Sequence, residues 1–342
     1  MDNNYTPENQ SVTAVAEPVA AGSPAEPSAA AEPSAPAAAT APAAETAPTT
    51  PTTPAASVRV SFPAWYDYIV LALLFAVSQL LIGFVAVKCG YTPEIARQVA
   101  DVRAAEGHLS ASTLGIVARA TAIGYMAGMS AMVFMALVYR RLRGGRGRVA
   151  RFSPRGFDPA LLLRGFIVLL AASIVAEPLI ELIPGSPDYE NMLGRGGWAL
   201  LSTVICAPIF EEFIFRGIIL ESVRRRRGVI AAWLLSSLCF GLAHGLPSQM
   251  VGAGVIGLVL GYVYIRSGSL FSGILLHGLN NALAMLLLIL GFGDSSLREV
   301  AGPKTYAVIY IVSALIFVWW LSDALRAVIR IRRSERIAEH SL

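Results

Sequence analysis

Glu211-Glu212-Phe213-Ile214-Phe215-Arg216 decides how this chain is read. Two carboxylates and a guanidinium lie inside an apolar run from about Trp198 to Leu220, which is long enough to cross a bilayer as a helix. A charge near the bilayer centre costs about 2.5 to 3.5 kcal/mol on insertion scales, so ionisable groups at that depth are functional candidates by default. Outward from this stretch, long apolar runs alternate with short arginine-rich segments over most of the 342 residues.

With 55% hydrophobic and 15% charged residues the chain is too apolar for an ordinary soluble domain. It has room for about eight spans of about 20 residues, which predicts an all-α, polytopic transmembrane helix bundle. Residues 1–58 hold six acids and no Lys or Arg, so they carry −6 of the net +4 and the remainder carries +10. The basic residues cluster beside apolar runs, the positive-inside pattern, rather than in a nucleic-acid-binding stripe. Three cysteines, Cys89, Cys206 and Cys239, are an odd number, two of them within spans. Neither a disulfide framework nor thiol chemistry is expected.

Residues 1–58 consist of Ala, Pro, Thr, Ser and Glu with few large apolar side chains, so they cannot bury enough surface to offset the entropy of ordering. They are predicted to be a disordered cytoplasmic tail, and they lack the basic start and apolar run of a signal peptide. Residues 59–337 form the transmembrane domain. Its spans are read over about 65–87, 114–138, 159–183, 197–222, 229–244, 251–265, 270–290 and 306–325. Arg140 to Arg155, Arg224 to Arg227 and Arg326 to Arg336 set the cytoplasmic side, placing both termini in the cytoplasm of a multi-pass protein of the cell membrane. Lys88 to about Ser112 reads as a polar outer loop that includes His108, and Pro184-Gly185-Ser186-Pro187 as an outer turn. Gly124 and Gly128, and Gly257 and Gly261, have the small-residue spacing of close helix seams.

The spans contain a chemical set. Glu212 and Arg216 are four residues apart and predicted to pair within one helix, while Glu211 lies about 100° around it, free to face another helix. His277 and Asn281 share a helix face, as do Phe240 and His244, with Phe240 read as packing. At about 1.5 Å per residue, Glu211, His244 and His277 lie about 20, 24 and 14 Å from the cytoplasmic side, compatible with one layer. A carboxylate shielded from water is a better base, imidazole positions water or binds a metal, and an amide stabilises an oxyanion without ionising. This suits peptide hydrolysis by activated water. Ser202, Cys206, Ser236 and Cys239 have no adjacent base in the sequence, and the H-E-x-x-H metalloprotease helix is absent. Arg119, Glu177 and Glu181 lie near span ends and read as snorkelling side chains, and Glu221 as interfacial.

E-E-x-x-x-R at Glu211–Arg216, F-x-x-x-H at Phe240–His244 and H-x-x-x-N at His277–Asn281, in this order on successive spans, resemble the CPBP family of intramembrane proteases. That group is related to the type II CaaX prenyl endopeptidases and to bacterial Abi or bacteriocin-immunity proteins. The resemblance covers about residues 195–290. It implies an endopeptidase in which Glu211 activates water with help from His244. His277 and Asn281 would stabilise the oxyanion, with Glu212 and Arg216 in support. It also implies a membrane-associated protein or peptide as substrate within a lipid bilayer, and no nucleic acid. Members of the family have been treated as metalloproteases, which makes Glu211, His244 and His277 candidate zinc ligands. The ligand types suit zinc but no i, i+4 histidine pair is present, so the sequence leaves a zinc cofactor open and leans only slightly toward metal-independent activity. The alternative is a non-catalytic immunity or partner-binding protein of the same fold. A proton- or ion-relay transporter is disfavoured by the absence of repeats and of charges spread over several helices.

Overall fold

The computed structural model describes residues 62–104, 109–145, 152–183, 196–292 and 295–340. The tail expected over 1–58, His108, Arg146, Arg148, Arg151 and the turn Pro184-Gly185-Ser186-Pro187 lie outside the described residues. Among the described residues the regular structure is entirely helical, as the composition predicts. It consists of α1 (Trp65–Lys88), α2 (Pro93–Ala104), α3 (Ala111–Leu142), α4 (Pro159–Glu181), α5 (197–227), α6 (Val229–Leu242), α7 (Pro247–Ser267), α8 (Leu270–Ile289), α9 (Leu297–Ala301) and α10 (Pro303–His340), with a short 3-10 helix at Pro154–Gly156 before α4.

Six of these helices, α1, α3, α4, α7, α8 and α10, are long and apolar enough to cross a membrane. The fourth and fifth expected spans are different. α5 is a composite of α and π turns, and α6 has only 14 residues, ending at Leu242 so that His244 falls in the turn beyond it. The loop expected after α1 contains α2, whose start is signalled by Thr92, which accepts from Ile95 N at 3.4 Å, and by Pro93 in the first turn. Leu73, Leu80 and Phe84 on α1, and Leu315, Val318 and Trp319 on α10, are exposed, the outward apolar faces that a multi-pass membrane protein presents to lipid.

Local sequence sets the helix starts. Asp158 caps α4 by accepting from Ala160 N and Leu161 N, with Pro159 as first residue. Ser269 caps α8 through Phe271 N and also donates to Ser153 O at 2.7 Å, tying the segment before α4 to α8.

The glycine pairs lie in seams as their spacing predicts. A Cβ at Gly124 would meet Ile82 O of α1 at 2.7 Å, and one at Gly128 would meet Ser78 O at 2.7 Å, so α3 lies directly on α1. At Gly257 a Cβ would come within 3.2 Å of Phe240 and Ser237 of α6. Trp233 Nε1 donates to Leu258 O at 2.7 Å across the same α6–α7 seam. Ile218, Leu220, Trp233, Phe240, Leu260, Leu276 and Val168 are buried in a core that α4, α5, α6, α7 and α8 share. Glu212 and Arg216 are embedded beside it.

Candidate active site

α5 begins in α geometry, widens into a π-helix over Leu201–Cys206, returns to α over Ala207–Glu212 and widens again over Phe213–Leu220. π turns of this kind concentrate at functional sites. The first has a local cause. Ala207 N–H reaches back five residues to Ser202 O. In that register the carbonyl of Thr203 would take the N–H of residue 208, but residue 208 is proline and has none. The orphaned carbonyl is satisfied from α8, where Asn281 Nδ2 donates to Thr203 O at 2.9 Å. The close approach needs Gly278, whose Cβ would lie 3.1 Å from Val204 O.

Glu211 and Glu212 therefore stand between the two widened stretches. Glu212 and Arg216 pair within α5, with Arg216 Nη1 2.7 Å from Glu212 Oε1 and both side chains 0% exposed. Arg216 Nη2 also donates to Gly257 O of α7 at 3.0 Å, and its guanidinium lies 4.6 Å from the centre of the Phe240 ring. Stacking and backbone acceptance reduce the cost of burying this charge.

His277 of α8 joins the two glutamates. Its Nδ1 is 3.3 Å from Glu212 Oε1 and its Nε2 is 3.8 Å from Glu211 Oε2. The second distance lies in ion-pair range but beyond a hydrogen bond. Glu211 retains 16% exposure while Glu212 has none, so Glu211 is the carboxylate with access to a ligand or water. Its other oxygen, Oε1, accepts from the Tyr125 hydroxyl of α3 at 2.9 Å.

Tyr125 was not among the residues that sequence spacing selects. It carries no charge and lies in the second span. Its only signal there is a polar hydroxyl one residue after Gly124, in the glycine seam.

Phe240 is fully buried, as its reading as packing predicts, and it links the remaining groups. Its ring is edge-on to His244 at 5.0 Å, to His277 at 5.6 Å and to Phe215 at 5.2 Å. His244 Nδ1 lies 2.8 Å from Phe240 O. A carbonyl only accepts, so Nδ1 carries the proton and Nε2 of the neutral ring is left with its lone pair.

Glu211, Glu212, Arg216 and His277 are thus brought into direct contact. His244 is joined to them through Phe240 and makes no ion pair with either glutamate among the described residues. Asn281 faces α5 but spends one N–H on Thr203. Of the end-of-span charges, Arg119 donates to Cys89 O at 3.4 Å, Glu177 accepts from Leu297 N at 2.6 Å, and Glu221 accepts from Tyr264 at 3.0 Å.

The donor set fits a zinc ion poorly. Zinc sites use three or four protein ligands, and among the described residues no three His, Cys, Asp or Glu side chains are grouped to hold one. Both imidazoles direct Nδ1 to a protein acceptor, His277 to Glu212 and His244 to a backbone carbonyl, as metal-ligating histidines also do. It is therefore the grouping of the donors and not the ring orientation that departs from a zinc site.

Residues 195–283 match the family model described as type II CAAX prenyl endopeptidase, Rce1-like, which bears out the resemblance over the segment that carries the three motifs. The chain is 31% identical over 118 residues to an uncharacterised 24.3 kDa protein of Escherichia coli, covering 33% of this chain and 52% of that protein. It is 26% identical over 88 residues to a protein of Bacillus subtilis (strain 168) named "Putative membrane peptidase YdiL", covering 26% of this chain and 36% of that protein. The chain thus spans about half the length of the first relative and about a third of the second. No solved structure matches.

Proposed function

We propose that this protein is an intramembrane endopeptidase that hydrolyses a peptide bond of a membrane-associated protein or peptide, with Glu211 as general base. The observation that carries the reading is the division of labour between adjacent carboxylates. Glu212 is fully buried and bound to Arg216, whereas Glu211 is partly accessible and faces His277. An apolar span that retains two carboxylates needs a reason for each, and the ion pair accounts only for Glu212.

In this mechanism Glu211 removes a proton from water as the oxygen attacks the scissile carbonyl, and then delivers that proton to the departing amine. The lone pair on His244 Nε2 helps to hold the water. His277 is anchored through Nδ1 by Glu212 and turns Nε2 toward the reacting side, where the ring, once protonated, offers an N–H to the oxyanion. The second N–H of Asn281 is the other proposed donor. No step is routed through a metal. The match to the type II CAAX prenyl endopeptidase model and the peptidase name of the Bacillus relative support the reaction class. The arginine distribution supports a cytoplasmic location for both termini.

The test is cleavage of a candidate membrane peptide by the purified protein in detergent or lipid, compared with Glu211→Ala and His277→Ala. The expected result is loss of cleavage in both variants with the fold retained. Unchanged turnover in both would overturn the proposed mechanism. A partner-binding protein without catalysis would instead show no cleavage by the unaltered protein.

A further inference from the structure

Building on the protease reading, we infer that Tyr125 is a positioning residue for the general base, a part of the site supplied by α3 from outside the family-matched segment 195–283. The Tyr125 hydroxyl lies 2.9 Å from Glu211 Oε1, across 86 positions of sequence. An ionised carboxylate only accepts, so the hydroxyl donates. The bond occupies Oε1 and leaves Oε2 as the oxygen on the His277 side, 3.8 Å from Nε2. A carboxylate otherwise free to rotate is thereby given one direction, with one oxygen assigned to support and the other to the reacting water.

The support is held from behind. Gly124, the residue before Tyr125, presses α3 against Ile82 of α1 so closely that a Cβ would fall 2.7 Å from its carbonyl. The Tyr125 ring also meets Phe210 of α5 edge-on, with centroids 6.4 Å apart, one residue before Glu211. Backbone packing and an aromatic contact therefore fix the phenol before its hydroxyl reaches the carboxylate. The pairing also satisfies a hydroxyl and a carboxylate oxygen that would each be costly to leave unpaired in an apolar interior.

Tyr125→Phe keeps the ring and removes the donor. In the full-length protein, a positioning role predicts a fall in kcat of about 10- to 100-fold, the usual range for losing a hydrogen bond to a charged group. KM should stay within about twofold, and the unfolding midpoint should fall only modestly, because Phe keeps the ring and leaves a single carboxylate oxygen unpaired. The infrared carboxylate band of Glu211, assigned by subtraction of Glu211→Gln, should also shift in Tyr125→Phe. Full kcat in Tyr125→Phe beside a cleaving unaltered protein would overturn the inference and leave the protease reading standing. An unshifted band would overturn it too, as would a loss confined to KM and stability. Failure of the unaltered protein to cleave would instead overturn the protease reading, and the inference with it.

Discussion

Glu212 Oε1 lies 3.3 Å from His277 Nδ1, joining positions 65 residues apart on α5 and α8. The same oxygen accepts from Arg216 at 2.7 Å, so a single atom couples an ion pair internal to α5 to the imidazole beside Glu211. Its companion, Oε2, is buried with no hydrogen-bond partner among the described residues, and it faces Gly273. The position of His277 is thus tied to the position of a residue that has no access to substrate.

Gly273→Ala should expose this coupling. The new Cβ would lie 2.7 Å from Glu212 Oε2, and that carboxylate is not a loose side-chain end because Oε1 is held by Arg216. Displacing it moves the anchor of His277. The expected outcome is a loss of kcat of about 10-fold or more from misplaced groups, with a stability cost of about 1 to 3 kcal/mol from overpacking. Turnover and chemical unfolding measured on one preparation check it. Normal turnover in the folded variant would mean that catalysis does not depend on where Glu212 sits.

Arg216→Leu should be strongly destabilising, because it leaves Glu212 as an uncompensated charge in a site of 0% exposure. Breaking one side of such a pair costs about 3 to 5 kcal/mol. Replacing both residues, in Glu212→Leu/Arg216→Leu, should restore most of that stability, since apolar substitutes of similar volume are often neutral. Activity should not return in the double variant, because His277 has then lost its Nδ1 partner. Unfolding midpoints in detergent and cleavage assays separate the two effects. A double variant as unstable as the single one would argue against the pair as the source of the loss.

Cleavage should persist within about twofold in the presence of a strong chelator, because a zinc site draws on three or four ligands and the described His, Cys, Asp and Glu side chains offer no such group. The check is cleavage after chelation, followed by addition of zinc. Abolition by chelator with recovery on zinc would show that the side chains regroup around a metal during turnover.

The spans, the charges buried in them and the Glu212–Arg216 pair were legible because each depends on neighbours within one helix. Hydropathy over about 20 residues and an i, i+4 spacing need no knowledge of the rest of the fold. The α2 helix inside an expected loop had its signals in the sequence too, in Thr92, Pro93 and Glu94, but they are weak beside the apolar runs. Less visible was the division of the fourth span into α and π turns. Pro208 marks a break in the ladder, yet which carbonyl is orphaned follows from the register around it, and which side chain fills the gap follows from the packing of α8.

By itself, the sequence determined a helical membrane domain and a small set of charged and amide groups within it, since burying charge in an apolar span is costly enough to be conspicuous. Only the tertiary structure decided which groups meet. Helix rotation and tilt are set by side-chain packing and not by hydropathy, so neither Tyr125 on Glu211 nor His277 between two glutamates follows from spacing along the chain. Asn281 shows the same limit. Its place one turn after His277 is local, but its bond to Thr203 depends on a proline in another helix that leaves a carbonyl without its donor.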